Sequence, residues 1–95
     1  MSLPKKLNVF GQTWKVKVTS VDIQYAGYCD RSSHTIVISD KQSKEELWHT
    51  LIHEILHASV SRVSINQTLS PELEEVIVDT FATVLMENNL IKTDS

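Results

Sequence analysis

Residues 34–62 read HTIVISDKQSKEELWHTLIHEILHASVSR, and the change of rhythm inside this stretch decides the fold. His34-Thr35-Ile36-Val37-Ile38 is a β-branched run closed by Ser39-Asp40, which reads as a strand with a stop behind it. Ser43-Lys44-Glu45-Glu46 then forms a capping box. The Ser43 hydroxyl accepts from the Glu46 N–H, and the Glu46 carboxylate reaches back to the Ser43 N–H. Leu47, Leu51, Ile55 and Val60 follow near helical spacing, so the helix runs to about Arg62.

Working outward, the upstream third reads as strand and the downstream third as helix. Leu7–Phe10 is short and apolar, Gly11-Gln12 reads as a turn, and Trp14-Lys15-Val16-Lys17-Val18 alternates with period two, which together predict a hairpin. Residues 19–33 are polar and irregular, with a turn expected at Gly27. Residues 63–69 read as a polar connector. Ser70-Pro71-Glu72 starts a second helix with Ser as N-cap, Pro at the first position and an acid in the first turn. Leu73, Val76, Ile77, Thr80, Phe81, Val84 and Leu85 give that helix an apolar stripe, which fades at Asn88-Asn89. The order β-β-β-α-α predicts an α+β fold, in which a short antiparallel or mixed N-terminal sheet of about three strands packs on two helices.

Composition narrows the class. Ninety-five residues (1–95) suit one small domain, and 41% hydrophobic residues allow a thin core that a metal, a partner or a second copy would help. A formal charge of −3 argues against a nucleic-acid binder. No apolar run approaches a membrane span of roughly 20 residues. MSLPKK has no apolar signal core behind it, and the one cysteine, Cys29, cannot form an internal disulfide; both fit a cytoplasmic location.

The chemistry lies on the first helix, at His53-Glu54-Ile55-Leu56-His57, an H-E-x-x-H motif. Residues four apart share a helix face, so both imidazoles can meet one zinc ion, and Glu54 projects beside it as a general acid/base for an attacking water. A catalytic zinc takes a third protein ligand. The long H-E-x-x-H-x-x-G-x-x-H pattern fails, because Val60 and Val63 stand at its Gly and last His positions. Glu72, Glu74, Glu75 and Asp79 remain as candidates.

H-E-x-x-H on one helix followed by E-x-x-x-D on the next resembles the gluzincin class of zinc metallopeptidases. The wider strings Thr50–Ala58 and Glu75-x3-Asp79-Thr80-Phe81-Ala82 are similar to small phage and mobile-element metallopeptidases of the ImmA/IrrE type. The register departs from that type at Ile77 and Val78, where it carries Glu-Ala. The resemblance implies a minimal zincin-like core and a zinc-dependent peptidase in a host cytoplasm. His53, His57 and Glu75 would be metal ligands, Glu54 the catalytic residue, and Asp79 the carboxylate that orients a ligating His. It also implies that a peptide substrate pairs antiparallel with strand 34–38 by β-augmentation.

Other residues divide between cleft and ordinary packing. His49 shares the helix face of His53 and His57 and reads as cleft-lining or surface. His34, Tyr25 and Tyr28 are candidate oxyanion donors, with strand-surface and loop positions as the plainer reading. Glu72 and Glu74 read as a solvated first turn favoured by the helix dipole. Cys29 reads as a free, packed cysteine, and Trp14 and Trp48 as core or cleft wall. So short a chain leaves little wall for a specificity pocket. This raises a non-catalytic, zinc-stabilised phage accessory or binding module as the alternative function, and a protein partner or homo-oligomer as the means of completing the cleft. A metal-free helical interaction domain stands third.

Overall fold

A computed structural model describes residues 3–62 and 70–88. The elements run β1 (Lys6–Val9), β2 (Gln12–Thr19), β3 (Gly27–Asp30), β4 (Thr35–Ser39), α1 (Lys44–Arg62) and α2 (Pro71–Glu87). The fold is α+β, as the sequence predicts, with four strands in the order β1-β2-β4-β3. The connector read over 63–69 lies outside the described residues.

The hairpin forms. β1 and β2 pair antiparallel with Leu7 opposite Trp14 and Val9 opposite Gln12, so the loop is Phe10-Gly11 rather than Gly11-Gln12. Both loop residues have positive φ, 49° and 83°, which matches the right-handed twist of a two-residue hairpin. β4 pairs parallel with β2, Val16 opposite Ile36, and antiparallel with β3, Cys29 opposite Ile36. The irregular stretch 19–33 thus contains a strand, because β3 is short and carries its polar residues on the face away from the helix.

Gly27 lies inside that strand, not at a turn. A Cβ there would sit 2.7 Å from Thr50 Cγ2 and 2.9 Å from the Val37 carbonyl oxygen. The absent side chain is therefore what lets β3 lie against α1. Gly27→Ala should push strand and helix apart and cost about 1–3 kcal/mol, read as a lower denaturation midpoint.

One face of the sheet and one row of α1 make the core: Val9, Trp14, Val16, Ile36, Ile38, Leu51 and Ala58, with Leu47, Trp48, Ile55 and Cys29 packed around them. The capping box of α1 is present, with Glu46 N donating to Ser43 Oγ at 3.1 Å and Ser43 N to Glu46 Oε1 at 2.8 Å. Ser70 caps α2, accepting from Leu73 N at 3.1 Å. The packed face of α2 differs from the expected stripe. Glu74, Val78 and Ala82 are buried, while Leu73, Val76, Phe81 and Val84 are exposed. Small buried residues, Ala58 on α1 and Ala82 on α2, suit a close approach of the two helices, and the carboxylates at 74 and 75 turn toward α1. Among the described residues, no helix is long and apolar enough to cross a membrane.

Candidate metal centre

Helical spacing puts His49, His53 and His57 along the flank of α1 that borders α2. The two later rings lie edge to face, 4.8 Å between centroids. Their Nε2 atoms converge on one carboxylate: His53 Nε2 is 2.6 Å from Glu75 Oε1 and His57 Nε2 is 3.2 Å from Glu75 Oε2. One donor atom from each of the three residues falls within 4.8 Å of the others, a spacing that could hold a metal ion.

The opposite nitrogens are occupied as metal-binding imidazoles require. His57 Nδ1 donates to Glu74 Oε2 at 2.7 Å and His53 Nδ1 to Glu54 Oε2 at 3.3 Å. With a metal bound, a carboxylate on Nδ1 would select the tautomer that turns the Nε2 lone pair to the ion, and would make that nitrogen a stronger base. Two imidazole nitrogens and one carboxylate oxygen form a donor set that could hold a metal ion.

Glu74 holds the His57 ring, a place the sequence does not suggest for it. It is 8% exposed and bonded to His57, where a solvated first turn was expected. The signal that could have found it is the 74-78-82 spacing, which gives Glu74 the same buried row as Val78 and Ala82. Asp79 does not orient a histidine: it is exposed, and among the described residues it forms no hydrogen bond to either ring. Glu74 and Glu54 hold the two places it might have taken.

Glu54 is buried at 7% exposed and lines a groove of about 890 Å³ between β3, α1 and α2. Tyr25, Tyr28 and His49 line the same groove, so three of the candidate cleft residues reach it. His34 does not. Its backbone takes a left-handed φ of 51°, its carbonyl accepts from Lys15 N, and its ring stands edge-on to Trp14 at 5.2 Å. The entry into β4 beside β2 therefore fixes His34 as a packing residue.

Strand 34–38 cannot receive a peptide, because β4 is flanked by β2 on one side and β3 on the other. The free edge beside the groove belongs to β3. Ser39 N donates to the Ala26 carbonyl at 2.8 Å, and antiparallel bonding alternates along the pair. Tyr28 and Asp30 thus spend their main-chain groups on β4, while Gly27 and Cys29 turn theirs outward to the free edge.

Electrostatics are uneven across the cluster. The Glu54 contact raises the His53 pKa above its ordinary 6.5, against the opposing effect of burial, and Glu75 adds to it. Glu75 is nearer but its side chain is 57% exposed, so solvent screens its charge more. In the metal-free protein, protonated His53 therefore stabilises the fold in full below about pH 6.5, and this contribution is lost as pH rises through the raised pKa. The Tm difference between the metal-free protein and its His53→Gln variant should accordingly shrink from about pH 5 to about pH 9. Cys29 donates its thiol to the Glu54 carbonyl at 3.1 Å, and burial, reinforced by the Glu54 charge, pushes its pKa up to about 12. It is a neutral packed thiol and not a member of the donor cluster.

No known protein family, curated protein or solved structure matches the chain.

Proposed function

We propose that this chain is a zinc-dependent metallopeptidase of minimal size. The observation that carries the reading is the convergence of His53 Nε2, His57 Nε2 and the Glu75 carboxylate in a groove that also holds buried Glu54. His53, His57 and Glu75 would hold the ion, with Glu74 fixing the His57 ring. The bound zinc would supply Lewis-acid polarisation of the scissile carbonyl and the attacking water. Glu54 takes a proton from that water and returns it to the leaving amine nitrogen. His49 and Tyr25 are the groove side chains available to donate to the oxygen on which negative charge develops.

A peptide substrate is supported by the free β3 edge. An extended chain pairing antiparallel with the outward main-chain groups of Gly27 and Cys29 would lie along the groove. The test is hydrolysis of a mixed peptide library by the purified protein, followed by mass spectrometry. Cleavage should stop with chelator and return with added zinc. Cleavage that persists in chelator at full rate overturns the reading.

A second reading, a metal-stabilised binding module, is favoured by one contact. Glu54 rests against His53 Nδ1, the position of a carboxylate whose task is to hold a ligand in place. A four-protein-ligand site in a zinc-loaded crystal would support it.

A further inference from the structure

The groove carries one lysine or arginine among its lining residues, Arg31. The other charged groups lining it are carboxylates, and three of them, Glu54, Glu74 and Glu75, are engaged with the histidine pair. No carboxylate among the described residues forms a salt bridge to Arg31. Its neighbour Asp30 is turned away, accepting from Ser32 N, Ser32 Oγ and Ser33 N. An exposed guanidinium without a salt-bridge partner among the described residues, at the mouth of a groove otherwise rich in carboxylates, is a ready receptor for a carboxylate on a ligand.

Its place along the groove follows from two contacts. Gly27 lies against Thr50, and Cys29 Sγ bonds the Glu54 carbonyl. Two strand residues advance about 6.6 Å and four helix residues about 6 Å, so β3 and α1 run side by side in the same sense. Arg31, two residues beyond Cys29, therefore lies past the His57 end of the donor cluster. It lines the groove itself, which places it on the groove side of the turn. A peptide running antiparallel to β3 presents its N-terminal part to that end.

We infer that Arg31 selects peptides bearing an acidic side chain about two residues N-terminal to the bond that is cut. This rests on the metallopeptidase reading and on antiparallel pairing with β3. Recognition combines the charge of Arg31 with its paired N–H donors, so Glu and Asp fit where Gln, Lys and Arg do not.

The experiment moves a single Glu, one position at a time, through a neutral peptide of about ten residues, and maps each cut by mass spectrometry. The cut should follow the Glu at a fixed distance on its C-terminal side. The peptide with Glu should be cleaved about tenfold better in kcat/KM than its Lys counterpart, less so at high salt. Arg31→Glu should invert that ranking. Titration of the same Glu and Lys peptides into the zinc-loaded Glu54→Gln variant reads the preference in Kd, so Arg31 is tested even if no peptide is cut. Absence of cleavage with the Kd preference intact rejects the peptidase and keeps the acidic ligand. Cuts that ignore the Glu, or that fall on its N-terminal side, overturn the inference and leave the peptidase standing. Equal Kd values for the two peptides, or an unchanged ranking in Arg31→Glu, also overturn it.

Discussion

Replacing Glu54 by Gln is expected to lower peptide hydrolysis by about 10²–10⁴-fold while zinc stays bound. The change keeps the volume of a side chain that is 7% exposed, so packing should be preserved. It also keeps an oxygen that can accept from His53 Nδ1, so the ligand stays oriented. What it removes is the capacity to take and return a proton. Steady-state kinetics on one cleaved peptide, beside a zinc titration of the same preparation, separates the two roles. A fall in kcat with near-constant zinc affinity marks Glu54 as the proton carrier. A large loss of affinity marks it as a group that merely holds His53, and returns the site to the binding-module reading.

Removal of the metal is expected to lower stability as well as activity. The proposed ligands lie on both helices, His53 and His57 on α1 and Glu75 on α2, so an ion between them would tie the two together. An ion present at 100–1,000 times its Kd would add roughly 2.7–4.1 kcal/mol. For a chain of this size, that corresponds to a Tm rise on the order of 10–30 °C. Thermal melts with zinc and with chelator measure it, and coincident melts would contradict the bridging role. The same assay sorts the acids of α2. Glu75→Ala should abolish the zinc-dependent shift. Glu74→Gln should weaken zinc binding by about 10–100-fold through the His57 ring. Asp79→Asn should leave it unchanged, because Asp79 touches neither imidazole.

The elements that could be read ahead of the structure are those specified by neighbours in the chain. The Ser43–Glu46 box, the Ser70 cap, the β1–β2 hairpin and the Leu47-Leu51-Ile55 row of α1 each depend on contacts within a few residues, and each is present. The meeting of His53 and His57 is equally local, since one turn of helix separates them. Glu75 as the third member came from the resemblance, whose E-x-x-x-D pattern Glu75 and Asp79 match. It meets the histidines, although Asp79 is not the partner that the resemblance implies.

Tertiary structure decided the remainder. β3 is too short and too polar to announce itself, and it exists because Gly27 lets it lie on α1 and β4 pairs with it. That pairing buries both edges of β4 and transfers the free edge to β3, which no periodicity within strand 34–38 could signal. The rotation of α2 about its own axis is a property of its packing. The helix carries apolar residues on most of its circumference, so pattern alone does not choose a face. Burial of Val78 and Ala82, together with the bond between Glu74 and the His57 ring, turns Glu74 inward and leaves Leu73, Val76 and Phe81 outside. Short-range hydrogen bonding and period were written in the order of residues. Register, edge exposure and helix rotation were settled only when distant segments met, because each is a choice among local conformations of similar energy.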